Sequence, residues 1–281
     1  MTRYATWGRI VHGPPELHWP VVRDSETSML QECRISESSG LRSCLWKTIH
    51  LAEDIGSNHT LTVKQRGDAL FFEWRSLRVL WEDSTIYFDG PAIEPFVDRV
   101  VFPVIESLNP DSVTLHGAAI VSKKAMLLLG QSGVGKSTIT RELSGRGWRF
   151  WADDVVAINH TLLKPSASSS RMRGATTLNE DFPGSGKLRL MEAPNFSATP
   201  LSSIVILKRG DPLKLEKVES VIPLMPYLYD LDPGTPELRK RRFQNLANLA
   251  RTTPIFEMTF PPNEQGGPSL KQLDLIESLL S

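Results

Sequence analysis

The chain has 281 residues, enough for one large domain or two modest ones. Its 32 Lys and Arg balance its 32 Asp and Glu, so formal net charge is zero. That excludes a general electrostatic pull toward nucleic acid or a membrane surface. No apolar run of signal-peptide or transmembrane length occurs, and two cysteines, Cys33 and Cys44, do not make a disulfide framework. A cytoplasmic protein, with neither nucleic acid nor membrane as a partner, is expected.

Taken in order, the first thirty residues show weak periodicity, with one strand expected at residues 4–11 and irregular chain after it. Residues 46–51 and 59–64 alternate enough for strands. The clearest β signals are residues 69–74, 77–81 and 85–88, which are rich in aromatic and β-branched side chains and separated by turn-prone Arg75-Ser76 and Glu82-Asp83-Ser84. They read as an antiparallel meander without a catalytic cluster. Residues 93–108 then place apolar side chains at a helical period despite Pro103, and Asn109-Pro110-Asp111 stops the helix. A β-rich N-terminal domain with a linking helix over 1–108, followed by a second domain over 109–281, is the expected division.

Residues 112–121 and 125–129 flank Ser122-Lys123-Lys124 and read as a hairpin with a tight polar turn. If Val121 pairs with Ala125, His116 falls opposite Gly130. A mid-strand histidine is ordinarily a packing residue, but Gly130 opens a sequence that gives this place a chemical meaning. Gly130, Gln131, Ser132, Gly133, Val134, Gly135, Lys136 and Ser137 match the phosphate-loop pattern G-x-x-x-x-G-K-[ST] at every fixed position. Glycines let the backbone N–H groups turn inward onto phosphate oxygens, Lys136 reaches the β- and γ-phosphates, and the Ser137 hydroxyl holds Mg²⁺. An apolar strand precedes the loop and a short helix follows, which puts a triphosphate at a helix N-terminus. With Thr138, these residues form the expected ATP–Mg²⁺ site.

Gly145-Arg146-Gly147 ends that helix, and residues 148–151 form a short strand with Ala152-Asp153-Asp154 at its carboxyl end. Strand, helix and strand make a βαβ unit whose strands run parallel, so the paired aspartates should emerge beside the phosphate loop. Residues 155–159 continue as a strand. From 160 to 200 the chain reads as a long loop with scattered basic residues (Lys164, Arg171, Arg173, Lys187, Arg189) and a turn-rich stretch at 181–186. A buried strand at 203–207, a helix at 237–250 with a basic start, a strand at 254–260 and a helix at 270–280 complete the reading. The basic start, Arg239-Lys240-Arg241-Arg242, is a solvated face or an anion-facing patch.

Phosphoryl transfer needs an acceptor in line with the phosphate and a group to take its proton. Asp153 and Asp154 divide this work: one acts as base and the other meets Mg²⁺ or positions its neighbour. Spacing alone does not say which is which. Mutual repulsion raises one of their pKa values unless the metal offsets it. His116 is suited to stabilising charge on the transferring group or orienting an aspartate. The aspartates come on the very next strand after the loop, closer than in ordinary motor ATPases, and no N-K-x-D guanine sequence is present.

At His116-Gly117, the phosphate loop, Arg146-Gly147 and Ala152-Asp153-Asp154-Val155, the sequence resembles the catalytic domain of HPr kinase/phosphorylase. The resemblance covers about residues 112–160 strongly and the rest weakly. It implies an α/β fold of the HPr kinase and phosphoenolpyruvate carboxykinase type behind the small β-rich domain. It also implies ATP- and Mg²⁺-dependent phosphorylation of a serine on a peptide or small protein. Asp153 takes the general-base position, with His116 and Asp154 in support and Ser137 and Asp154 toward the metal. Thr138 stands where the family usually carries Glu and Trp148 where it carries His, and the later Gly-rich, Arg-containing stretch linked to reversal is missing. The layout is similar to short HPr-kinase-like proteins of peptide-maturation systems, including lasso-peptide kinases that modify a C-terminal serine. A true HPr kinase/phosphorylase and a non-catalytic nucleotide-sensing module are the alternatives, and oligomerisation is open.

Overall fold

The structure, a computed structural model, describes residues 2–6, 9–13, 31–38, 41, 46–53, 60–90, 96–122, 124–159, 162–163, 171–173, 187–189, 199–229, 236–261 and 268–279. The front of the chain builds an eight-stranded sheet from β1 (Thr2–Thr6), β2 (Arg9–Gly13), β3 (Gln31–Glu37), β4 (Lys47–Glu53), β5 (Thr60–Arg66), β6 (Ala69–Trp74), β7 (Leu77–Glu82) and β8 (Thr85–Asp89). Their lateral order is β1-β2-β3-β8-β7-β6-β5-β4. The expected meander is the antiparallel run β5 to β8, with Arg75, Asp83 and Ser84 at positive φ in its turns. Residues 4–11 are not one strand: β1 and β2 pair antiparallel as a hairpin. The unforeseen β3 pairs parallel with both β2 and β8.

Alternation along this sheet buries Val11, Ile35, Val63, Phe72, Val79 and Ile86 on one face. Against it lie a π-helical turn, Val97–Val101, and α1 (Phe102–Leu108), with Pro103 in the first turn, where a missing N–H costs nothing. Phe96 stacks on Trp74 at 5.8 Å between ring centroids, and Trp81 meets Phe102 edge-on.

The second sheet uses β9 (Ser112–Val121), β10 (Ala125–Leu129), β11 (Arg149–Asn159), β12 (Leu162–Leu163), β15 (Thr199–Arg209), β16 (Lys214–Val218) and β17 (Ile255–Phe260). Its main order is β11-β9-β10-β15-β17-β16, with the two-residue β12 bridging β11 to the start of β15. β9 is antiparallel to both β10 and β11, and β15 and β17 run parallel to β10. β10, β11, β15 and β17 therefore all point the same way. Four helical segments cover the sheet: α2 (Lys136–Ser144), a 3₁₀ turn (Ile222–Tyr227), α3 (Pro236–Thr252) and α4 (Leu270–Ser278). Leu127, Leu129, Val156 and Ile206 pack toward Leu246 and Leu249 of α3. Met126, Leu128 and Ile120 pack toward Ile139 and Leu143 of α2 and Ile276 of α4.

Two expectations need correcting. Residues 149–159 are one continuous strand, so the aspartates sit in mid-strand and not at its end. The register shifts between Phe150 and Ala152, a bulge one step before the aspartates. The loop-like region after 160 holds β12 and a small antiparallel pair, β13 (Arg171–Arg173) with β14 (Lys187–Arg189). Residues 164–170, 174–186 and 190–198, with Lys164 and the 181–186 turns, lie outside the described residues, as do 14–30, Lys123 and Cys44. No described helix is long and apolar enough to cross a membrane.

Candidate active site

β10 ends at Leu129 while β9 and β11 run on past it, leaving a notch at the sheet edge. Within the hairpin Ala125 pairs with Val121 and Leu129 with Gly117, so the next step along β9, His116, faces the start of the glycine loop. That is the expected register. On its other side Gly117 pairs with Asp154, and His116 with Val155. One row across the sheet therefore reads Leu129, Gly117, Asp154, and the row behind it reads Leu128, Ala118, Asp153. At about 4.8 Å between strands, Asp154 lies about 10 Å from Leu129 across β9. The parallel direction of β10 and β11 holds, but they are not neighbours: β9 runs between them.

Strand alternation assigns these positions to faces. Ala118 and Ile120 belong to the face covered by α2, so positions 153 and 116 share the face of the glycine-loop helix. Position 154 falls on the opposite face with Gly117 and Leu129. Gly117 has a packing reason: a Cβ there would come 2.7 Å from Leu129 Cδ2 and 2.8 Å from the Leu128 carbonyl.

The loop itself leaves β10 at Gly130, whose φ of 151° and proximity to Val134 Cγ1 (2.7 Å to an added Cβ) admit only glycine. Gln131, Ser132 and Gly133 are exposed, whereas buried Val134 anchors the turn in the α2 core. The Val134 N–H donates to the Gln131 carbonyl, and the Ile139 N–H to the Gly135 carbonyl, which begins α2. Gly135 caps α2 without a side-chain hydrogen bond, so no side chain occupies the first-turn N–H groups. Lys136 is only 8% exposed, and its ammonium donates to the Gly130 carbonyl at 2.6 Å and the Gln131 carbonyl at 3.2 Å. The lysine is thus folded into the concavity of its own loop. Ser137 and Thr138 are half-buried on the first turn of α2.

One charged neighbour was not foreseen. Arg209 ends β15, the parallel neighbour of β10, and its Nη2 lies 3.6 Å from the point where a Gly135 Cβ would stand. Its guanidinium sits over the Phe260 ring at 4.6 Å and donates to the Pro261 carbonyl at 3.5 Å. A basic residue at the end of a strand parallel to the one feeding the loop is the signal that would have found it.

Arg146 and Trp148, in contrast, are tied to the last helix. The Arg146 guanidinium donates to Asp274 at 2.7 Å and Glu277 at 2.8 Å, and Trp148 Nε1 donates to Glu277 at 2.9 Å. Those two carboxylates hold the Arg146 pKa above its ordinary value. Arg146 and Trp148 fasten α4 against the end of α2 and do not reach the notch.

No family model matches the chain. Curated relatives do. The HPr kinase/phosphorylases of Thermoanaerobacter sp. and Thermoanaerobacter pseudethanolicus are each 43% identical over 65 residues, 23% of this chain and 21% of theirs. That of Caldanaerobacter subterraneus subsp. tengcongensis is 44% identical over 64 residues, 22% of this chain and 21% of its own. This chain is HPr-kinase-like. It spans about a fifth of the length of the curated relatives it matches. Among solved structures, the Hpr(Ser) kinase/phosphatase from Coxiella burnetii aligns with 59% of this chain and 87% of its own, at 16% identity and a TM-score of 0.32. The HPr-kinase-like sequence and the mixed α/β sheet agree with the expected class.

Proposed function

We propose that the chain is an ATP- and Mg²⁺-dependent kinase that transfers a phosphoryl group to a serine hydroxyl of a peptide or small protein. The observation that carries this reading is the convergence at one notch of the glycine loop, His116 and the backbone of Asp153 and Asp154. Bound ATP–Mg²⁺ supplies the γ-phosphoryl group and offsets its charge. The residues fit that group: a glycine-lined turn, α2 N–H groups without a side-chain cap, a buried ammonium and a first-turn hydroxyl are the donor set a triphosphate and its metal need.

In this reading, the N–H groups of residues 131–137 and the Lys136 ammonium bind the β- and γ-phosphates. The Ser137 hydroxyl and Asp154 belong to the metal side. Asp153, on the face shared with His116 and the loop helix, takes the proton from the serine hydroxyl as its oxygen bonds to the phosphorus and the ADP oxygen departs. Neutral His116 donates a hydrogen bond to the transferring group, and Arg209 opposes its charge from the far side of the loop. The phosphate-loop fold class, with residues 1–108 as a β-rich domain ahead of a catalytic domain at 109–281, belongs to the same proposal. A lasso-type precursor with a C-terminal serine is one candidate acceptor, and the HPr protein, named in the relatives' titles, is another.

The test is incubation of the pure protein with γ-labelled ATP, Mg²⁺ and serine-containing peptides. Label on serine is expected. ATP bound without transfer to any hydroxyl favours the nucleotide-sensing alternative.

A further inference from the structure

Beside the notch, the same edge of β9 borders a second concavity. Past the end of β10, Leu115 bridges to Leu228, and the Tyr229 N–H donates to the Thr114 carbonyl at 2.9 Å. The end of α1, the start of β9, the 3₁₀ turn and the first half of α3 enclose a cavity of about 160 Å³, lined by Ser107, Thr114, Leu228, Arg239, Arg242 and Phe243 among others. Thr114 is 4% exposed, and its hydroxyl has no hydrogen-bond partner among the described residues.

The rim is apolar. Ile222, Met225 and Phe243 are 69%, 45% and 48% exposed, and they account for three of the four exposed large apolar side chains among the described residues. The wall is cationic: Arg239 and Arg242 of the basic run line the cavity one turn apart, and the Arg242 guanidinium donates to the neutral Ser107 carbonyl at 2.9 Å through Nε. An apolar mouth, a buried hydroxyl with unused capacity and two guanidiniums make a ligand site more than a packing surface.

Its position gives the ligand an identity. Thr114 and His116 share one face of β9, two residues and about 7 Å apart. Two residues of an extended peptide cover the same distance. We propose that this cavity anchors the acceptor chain, taking an apolar side chain next to a carboxylate about two residues from the phosphorylated serine. The apolar group enters the mouth between Met225 and Phe243, the carboxylate meets Arg239 and Arg242, and the Thr114 hydroxyl bonds the peptide backbone. The proposal rests on the kinase reading for its direction but not for its test.

The probe is a fluorescein-labelled synthetic peptide carrying a Leu-Glu pair two residues from an alanine that replaces the acceptor serine. Anisotropy with the full chain should show at least tenfold tighter binding than for Leu-Lys and Ala-Ala counterparts. F243D and R239E, at exposed positions, should each weaken Leu-Glu binding at least fivefold without changing ATP affinity, and the near-isosteric T114V should weaken it with folding intact. Equal binding of all three peptides overturns the proposal. So does F243D dissociating an oligomer while peptide binding survives, which would make the patch a contact between copies of this chain. Because the probe has no hydroxyl, these outcomes are independent of phosphoryl transfer. Discrimination here, with no transfer to the matching serine peptide, overturns the kinase reading alone.

Discussion

Gly117 shows how one residue sets the width of the notch. Its absent Cβ lets Leu127 and Leu129 close over β9, and an added methyl would meet the Leu128 carbonyl at 2.8 Å, an atom of the sheet that has no room to withdraw. Gly117→Ala is expected to cost about 1–3 kcal/mol, read from urea unfolding, and to weaken ATP binding by shifting the start of the loop. Arg209 acts at the same scale. Held by Phe260 and the Pro261 carbonyl, it reaches the phosphate loop with its guanidinium already oriented. Arg209→Ala should raise the Kd for ATP–Mg²⁺ about tenfold, the worth of one charge-assisted hydrogen bond, with Arg209→Lys intermediate. An unchanged Kd would remove Arg209 from the site. The glycine loop was legible because its chemistry needs fixed residue types at fixed spacing. Arg209 was not, because its neighbourhood is made by β15 pairing with β10, and the two strands are far apart in sequence.

At the scale of elements, α4 stabilises the loop helix from behind. Ser269 caps α4 in a reciprocal box with Gln272, and Leu273 and Ile276 enter the core that also holds Val134, Ile139 and Leu143. Ile276 is fully buried, so Ile276→Ala should cost about 2–4 kcal/mol and loosen α2 with it; denaturant unfolding and nucleotide affinity would both register the change. Glu277→Gln removes a charge that serves both Arg146 and Trp148 and is expected to lower the melting temperature with phosphoryl transfer kept, because neither residue reaches the notch. The hairpin β9–β10 was legible to the residue, since a short polar turn between two apolar strands fixes the register. The lateral order was not. A strand–helix–strand sequence specifies that β10 and β11 run the same way, but the hairpin partner β9 takes the place between them, and nothing local in the sequence decides that. The bulge before Ala152 and the break between β1 and β2 were hidden for a related reason: alternation continues through both in the sequence, and pairing alone reveals them.

At the scale of the whole molecule, the two sheets share a core. Val155 and Ala157, on the part of β11 that passes the end of β10, belong to the same buried cluster as Phe72, Trp81, Phe96 and Phe102. The ribbon that carries Asp153 and Asp154 is therefore buttressed by the front sheet. A chain cut to residues 109–281 is expected to lose its cooperative thermal transition and to bind hydrophobic dyes; a sharp transition in that fragment would show the buttress to be dispensable. The account stands most directly on the kinetics of Asp153→Asn. Single-turnover transfer from γ-labelled ATP to a serine peptide should fall about 10²–10⁴-fold, while the Kd for ATP–Mg²⁺ stays within about threefold, since only the acceptance of the hydroxyl proton is lost. Transfer at the unaltered rate in Asp153→Asn would contradict the proposed site.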